Sequence, residues 1–173
     1  CLMFKETSLL KVGVKITVDC LEKIEKSVEE KQVLDQKRLT ENHNFKWVPP
    51  KSPYDLLQEH VWGNPWKIFV CCIFCNLTRR ISAEPYFWTF LRLYPTPQSA
   101  AMCDEETIAA LIQPLGLSRK RARALKRMSI DYIKGEWHDD PTKLYGIGKY
   151  GSDSYHIFCS GRWKDVTPKD HAL

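Results

Sequence analysis

The sequence lacks a membrane-spanning segment, an alternating strand pattern and any internal repeat. Its apolar run at residues 68–75 is far shorter than the roughly 20 residues that a bilayer-spanning helix needs. These absences argue against a membrane protein, a sheet-based fold and a repeat protein. With 43% hydrophobic and 12% aromatic residues among 173, the chain has the composition of a globular domain rather than a disordered segment.

The sequence also lacks a secretory signal and a regular cysteine framework. Its seven cysteines are an odd number, and three of them lie within residues 71–75. This usage predicts reduced thiols in a cytosolic or nuclear protein. Cys72 and Cys75 have the spacing of a metal or redox motif, but no second Cys or His pair lies nearby. We therefore interpret them as small apolar core residues and expect no metal.

Basic residues are concentrated in one segment. The net charge is +5, and six of the ten residues at 118–127 are Lys or Arg. On a helix, Arg119, Arg123, Lys126 and Arg127 would share one side. Taken alone, that side is equally consistent with a solvated face and with a surface that contacts phosphates.

The first 44 residues differ from the remainder. They are rich in Lys and Glu and contain no Trp or Pro. Asp19 and Glu22 have capping-box spacing, which allows a short helix at about 20–38. The favoured interpretation is a charged linker or extension, followed by one domain over 45–173.

From Trp47 onward, the sequence predicts an all-α domain. Polar caps followed by proline mark helix starts at Ser52, Asn64, Thr96 and Asp140. Glycines mark the ends of helices. The predicted helices cover residues 53–62, 65–77, 83–93, 104–113, 119–134, 141–145 and 149–160. The second is apolar almost all round, so we expect it to form the centre of the core.

The sequence Gly146-Ile147-Gly148 lies between two of these helices. Such a turn can expose backbone N–H groups to a phosphate, with a buried Ile147 as its anchor. The alternative is an ordinary helix–helix connection. The capped first helix, both glycines, the central isoleucine and Gly151 together favour a helix-hairpin-helix that binds DNA.

A carboxylate near the hairpin would allow the protein to catalyse a reaction on DNA in addition to binding it. Pro168 predicts a helix start that places Asp170 in a first turn, where the helix dipole favours a carboxylate. On chemical grounds alone, Asp153 and Asp165 are equally good candidates.

Four segments resemble the mismatch-specific thymine/uracil glycosylase domain of the methyl-CpG-binding-domain DNA glycosylases, within the helix-hairpin-helix superfamily typified by endonuclease III. The segments are KWVPPKSPY at 46–54, NPWK at 64–67, PLGL at 114–117 and GIGKYGSDSYHIFC at 146–159. The resemblance covers about residues 45–173. It implies a helix-hairpin-helix glycosylase fold, no metal or organic cofactor, and a nuclear, monomeric enzyme that acts on double-stranded DNA.

The resemblance also implies residue roles. Asp170 resembles the catalytic aspartate, and Gln58 and Tyr150 resemble the residues of the pocket for a flipped base. Further residues are expected to contact DNA: Leu77, Leu117, Arg119, Arg123, Gly146, Gly148, Lys149 and Gly151. Where strand-cutting members of the superfamily have a Schiff-base lysine, this chain has Tyr150, whose phenol cannot form an imine. Lys149 lies one position early.

Three features depart from the family pattern. Leu77 and Ala172 stand where the family has arginine and lysine, and the helix that follows the aspartate is missing after Leu173. Because the chain also begins at Cys1, we expect a fragment of a longer protein.

The expected activity is hydrolysis of thymine or uracil mispaired with guanine, at deaminated CpG sites, without strand cutting. The alternatives are a bifunctional glycosylase/lyase and a non-catalytic DNA-binding module.

Overall fold

The computed structural model describes residues 47–170 and residue 173, and the regular structure in these residues is entirely helical. Its helices are α1 Pro65–Cys75, α2 Arg80–Leu93, α3 Pro97–Met102, α4 Glu105–Leu111, α5 Ser118–Lys134 and α6 Lys149–Tyr155. Shorter 3-10 turns occur at Leu57–His60, Gln113–Leu115, Pro141–Lys143 and Trp163–Asp165. The all-α prediction is confirmed. The expected extension at 1–44, with its helix at 20–38, lies outside the described residues.

Helix α1 is the centre of the core, as the sequence predicts. Asn64 accepts the Lys67 N–H at 3.0 Å, and Pro65 occupies the first helical position. Eight of the eleven residues are buried, and each large apolar side chain contributes roughly 1.5–3 kcal/mol on burial. The helix packs against α2, α5 and α6. It therefore holds the elements that surround the site in a fixed arrangement.

Two tryptophans connect distant segments. The indole N–H of Trp66 donates to Ser129 Oγ at 3.0 Å and so connects α1 to α5. Trp47 donates from its indole N–H to the carbonyl of Ile157 at 2.7 Å and stacks on Trp163. Gly161 lies against Trp47, where an added Cβ would come within 2.8 Å of the ring. The contact holds the segment that leads to Asp170 against the body of the domain.

The helix predicted at 53–62 is wrong in extent, because only Leu57–His60 forms a 3-10 turn. Ser52 does not cap a helix; its hydroxyl donates to Glu59 at 2.5 Å and accepts the Tyr54 N–H. Asp55 has φ of 48°, and its carboxylate pairs with Arg80 at 2.7 Å. This long-range ion pair stabilises a backbone conformation that interrupts the helix.

Other helix boundaries also differ from the predicted ones. Helix α2 begins at Arg80, ahead of the predicted 83, and accommodates Pro85 in its interior. The helix predicted at 104–113 ends at Leu111. Thr96 caps α3 as predicted, although the predicted helix ranges did not include α3. The helix predicted at 149–160 divides into α6 and a π-helical turn at His156–Ser160. Within the described ranges, no helix is both long and apolar enough to span a membrane.

Candidate active site

A cleft of about 590 Å³ lies where α1, α5 and α6 meet. It brings together eight of the eleven site residues expected from the sequence, namely Leu77, Leu117, Gly146, Gly148, Lys149, Tyr150, Gly151 and Asp170. The C-terminal end of α1 contributes Cys72 and Cys75, and α5 contributes Lys120 and Arg121. Residues separated by almost 100 positions therefore form one surface.

The Gly146-Ile147-Gly148 turn forms one wall of the cleft. Asp140 caps the preceding turn by accepting the Thr142 N–H at 2.9 Å, although this turn is a single 3-10 turn at Pro141–Lys143 and not the helix predicted at 141–145. Gly146 has φ of 80°, which favours glycine. Ile147 is buried, as predicted, and anchors the turn in the core. Gly148 leads directly into α6.

Tyr150 and Gln58 form a hydrogen-bonded pair. The Gln58 amide donates to the Tyr150 hydroxyl oxygen at 2.6 Å, and only 2% of Gln58 is exposed. Gln58 contacts the cleft through Tyr150 rather than lining it. Burial raises the pKa of Tyr150 well above its ordinary value. The phenol therefore keeps its proton, and because its oxygen already accepts from Gln58, its O–H can donate to a bound group.

Asp170 is the carboxylate that lines the cleft among the described residues. Among the described residues, Pro168 does not begin a helix: Val166 is extended and residues 169–170 form a bend. The other two candidates do not line the cleft. Asp153 is buried and lies 2.6 Å from Lys149, and Asp165 lies 2.9 Å from Arg162.

Leu77 and Leu117 are exposed at the edge of the cleft, by 87% and 51% respectively. Both have a positive φ, 54° for Leu77 and 50° for Leu117. Such a conformation costs a leucine roughly 1–2 kcal/mol. Two exposed, strained apolar side chains at one opening are suited to insertion into another molecule.

The basic run divides between the first turn of α4 and the cleft. Arg119 pairs with Glu106 at 3.7 Å and Arg123 with Glu105 at 3.5 Å, so both contact the first turn of α4 and not the cleft. Lys120 and Arg121 line the cleft instead. Sequence reasoning missed Arg121, although its spacing of four and seven residues from the buried Leu125 and Met128 was a signal of burial.

The cysteines of α1 divide between core and cleft. Cys71 and Cys72 are buried, as predicted, and burial raises the pKa of Cys72 to about 12. Cys75 differs because it is partly exposed in the cleft. A hydrogen bond with Cys71 lowers the pKa of Cys75. Across the described positions, no three His, Cys, Asp or Glu side chains converge as metal ligands would.

Two curated proteins are similar in sequence to this chain. The chain is 39% identical over 142 residues to a methyl-CpG-binding domain protein 4-like protein of Arabidopsis thaliana, a match covering 82% of this chain and 32% of that one. It is 30% identical over 106 residues to a thymine/uracil-DNA glycosylase of Pyrobaculum aerophilum, covering 58% and 46% of the two chains. The chain therefore spans less than half the length of either relative.

A solved structure of a trapped endonuclease III–DNA covalent intermediate matches with a TM-score of 0.49 and 17% identity, over 79% of this chain and 59% of that one. The family model of the HhH-GPD superfamily of base excision DNA repair proteins matches residues 69–171. That match includes the hairpin turn, Tyr150 and Asp170. The chain belongs to the HhH-GPD superfamily of base excision DNA repair proteins.

Proposed function

We propose that the protein is a monofunctional DNA glycosylase that hydrolyses the N-glycosidic bond of thymine or uracil mispaired with guanine. The observation that carries the proposal is the shared cleft of Asp170, Tyr150 and the hairpin turn, with Leu77 and Leu117 at its edge. A relative named as a thymine/uracil-DNA glycosylase supports the choice of base. The proposed partner is double-stranded DNA in the nucleus, bound by a monomer, with deaminated CpG sites as the source of the mismatches.

Base extrusion is the first step of the proposed reaction. A glycosidic bond inside a duplex is inaccessible, and extruding the nucleotide costs a few kcal/mol, least for a mismatched base. Leu77 and Leu117 would insert between the bases and fill the space that is vacated. Leu77 fills space but offers no hydrogen bond, so this step depends on apolar contact. The hairpin at Gly146 and Gly148 would hold the phosphates through backbone N–H groups.

The pair of Gln58 and Tyr150 would receive the extruded base. Because Gln58 donates to the Tyr150 oxygen, the phenol O–H is oriented by a buried neighbour and can donate to a pyrimidine carbonyl. The ring offers a flat apolar surface against the base. A buried donor that must find an acceptor discriminates against bases that lack one.

Asp170 would act on the sugar. As the bond from C1′ to N1 breaks, the electron pair leaves with the base and positive charge develops on the sugar. A carboxylate beside the sugar stabilises that charge. It can also accept a proton from the water that attacks C1′, so that the products are a free base and an abasic site.

Tyr150 also argues against strand cutting. A lyase step needs an amine that forms an imine with C1′, and a phenol cannot supply one. The neighbouring amine of Lys149 lies 2.6 Å from the buried Asp153 carboxylate. The proposed product is therefore an intact strand with an abasic site.

The test is base release from duplexes that carry a single G·U or G·T pair. The protein should produce strand breaks only after hot alkali, which cleaves abasic sites. Asp170→Asn should abolish release while retaining DNA binding, and Asp165→Asn should release the base at the original rate. Full activity of Asp170→Asn would refute the catalytic assignment. DNA binding without release by the unaltered protein would favour the non-catalytic alternative.

A further inference from the structure

Arg121 is the buried member of a largely exposed basic run. It lies in the first turns of α5, and only 4% of it is exposed. Burying a guanidinium is unfavourable unless its N–H groups find acceptors. The acceptors that bind the guanidinium indicate which parts of the structure Arg121 stabilises.

The acceptors belong to two separate loops. One is the Leu77 loop, residues 76–79, between α1 and α2; the other is the Leu117 loop, residues 112–117, between α4 and α5. Nη1 donates to the carbonyls of Leu115 and Gly116 at 2.9 and 2.6 Å. Nη2 donates to the carbonyl of Asn76 at 2.6 Å and to the Thr78 hydroxyl. A single planar group therefore connects both loops.

The two loops also carry the two strained leucines. The carbonyls of Asn76 and Gly116 belong to the peptide bonds immediately before Leu77 and Leu117. Because Arg121 binds both carbonyls, it fixes the peptide planes that lead into the positive φ of each leucine. Residues in this conformation persist where their surroundings hold them.

We propose that Arg121 is a positioning residue that holds Leu77 and Leu117 as a pair of apolar wedges at one fixed separation. The inference rests on the proposed function, in which the leucines part the stacked bases. Although Arg121 lines the cleft, it acts through the two loops and not on the DNA, since both of its Nη atoms are bound to loop acceptors and its Nε is buried. Its planar fork suits acceptors on two sides, which the single ammonium of lysine does not match.

Two substitutions weaken the connection between the loops to different degrees. Arg121→Lys keeps the charge but loses the fork, and Thr78→Val removes one acceptor with little change of shape. We expect Arg121→Lys to slow single-turnover release of uracil from a G·U duplex by about ten- to a hundredfold, since small misplacements cost that much. Thr78→Val should slow it less. Arg92→Met, an exposed arginine on α2, should leave the rate unchanged.

A salt titration separates positioning from direct phosphate contact. Loss of a phosphate-binding arginine lowers the slope of log affinity against log salt by about 1. If Arg121 only positions the loops, Arg121→Met should leave that slope unchanged. A reduced slope would identify Arg121 as a phosphate contact and overturn the proposal.

A double-mutant cycle tests whether Arg121 works through the leucines. In a Leu77→Ala/Leu117→Ala background there are no wedges to position, so Arg121→Lys should cause no further loss of rate. An equal, additive loss in that background would contradict the proposal. Melting temperatures of all variants identify any rate loss that reflects unfolding.

The substrate distinguishes failure of this inference from failure of the proposed function. Uracil in an unpaired bubble needs little unstacking, so Arg121→Lys and Thr78→Val should release it at nearly the original rate. The positioning role is wrong if both variants are slowed equally on the bubble and on the duplex. It is also wrong if neither substrate shows any slowing. If the unaltered protein releases no base from either substrate, the proposed function itself fails.

Discussion

The side-chain amide of Gln58 donates a 2.6 Å hydrogen bond to the hydroxyl of Tyr150, 92 positions along the chain. The bond connects the 3-10 turn ahead of α1 to the first turn of α6. Burial raises the pKa of Tyr150 well above its ordinary value, so the phenol keeps its proton at neutral pH. A rigid, neutral donor is therefore present where the base is proposed to bind.

Removing either member of this pair should impair the reaction. In Tyr150→Phe the Gln58 amide is left buried without its acceptor, and in Gln58→Ala the phenol loses its partner. Because an unmade hydrogen bond to a buried group costs about 1–3 kcal/mol, we expect base release to slow by roughly tenfold or more. Single-turnover rates on a G·U duplex provide the measurement.

The control for this pair is Tyr94→Phe, which removes a hydroxyl that accepts from Cys103 outside the cleft. It should leave the rate unchanged. The double variant Gln58→Ala/Tyr150→Phe should lose less than the sum of the two single effects, because the residues act as one unit. Strict additivity would contradict a shared role.

The glycines of the hairpin separate folding from DNA binding. At Gly148, an added Cβ would have no neighbour within 4 Å, and φ of −107° is open to any residue. We expect Gly148→Ala to lower the free energy of unfolding by less than about 1 kcal/mol, the scale of an altered helix cap. It should weaken DNA binding severalfold, because the methyl group would stand between backbone and phosphate. Thermal melting and fluorescence anisotropy measure the two effects.

Gly151→Ala should behave in the opposite way. Its Cβ would lie 2.8 Å from Ile147 Cγ2 and 3.8 Å from Cys72 Cβ, in the core beneath the turn. Overpacking of this kind costs about 1–3 kcal/mol, which outweighs the gain of about 1 kcal/mol in helix propensity. The melting temperature should fall.

The DNA affinity of Gly148→Ala tests the hairpin directly. If that affinity is unchanged, the hairpin does not contact DNA in the way proposed.

Features with local causes could be predicted from the sequence. The caps at Asn64, Thr96 and Asp140 form as expected, because a cap depends on residues within one turn. The apolar α1 and the anchor Ile147 are buried as predicted. The hydrophobic periodicity of a segment indicates which of its residues are buried, even when the elements that pack against it are unknown.

Features with long-range causes could not be predicted. The first predicted helix is interrupted at Asp55, which has φ of 48° and pairs with Arg80, 25 positions along the chain. The spacing of Arg121 from Leu125 and Met128 indicates a buried position, but the carbonyls from two loops that bind its guanidinium could not be predicted. Arg119 and Arg123 pair with the first turn of α4, which separates them from the cleft. In each case tertiary contacts decide between alternatives that the local sequence leaves open.

The thiols of α1 offer a chemical test of the cleft. Cys75 is partly exposed there, and its hydrogen bond with Cys71 lowers its pKa, whereas burial raises the pKa of Cys72 to about 12. Since the thiolate is the reactive form, iodoacetamide should modify Cys75 well before Cys71 or Cys72. Mass spectrometry of the peptides gives the order. Mismatched duplex DNA should slow the reaction at Cys75, and equal labelling with and without DNA would contradict binding at the cleft.

Tyr150 also determines whether the strand is cut. Borohydride reduces an imine between protein and DNA to a stable adduct, so trapping reports the lyase step directly. The unaltered protein should give no adduct on a G·U duplex, because Tyr150 has no amine and Lys149 lies 2.6 Å from Asp153.

Tyr150→Lys supplies the positive control for that result. It places an amine at the half-buried position of the phenol, where partial burial favours the uncharged, nucleophilic form. This variant should form an adduct and cut the strand without alkali, provided that Asp170 remains. An adduct with the unaltered protein that disappears in Lys149→Gln would instead identify Lys149 as the nucleophile and the enzyme as bifunctional.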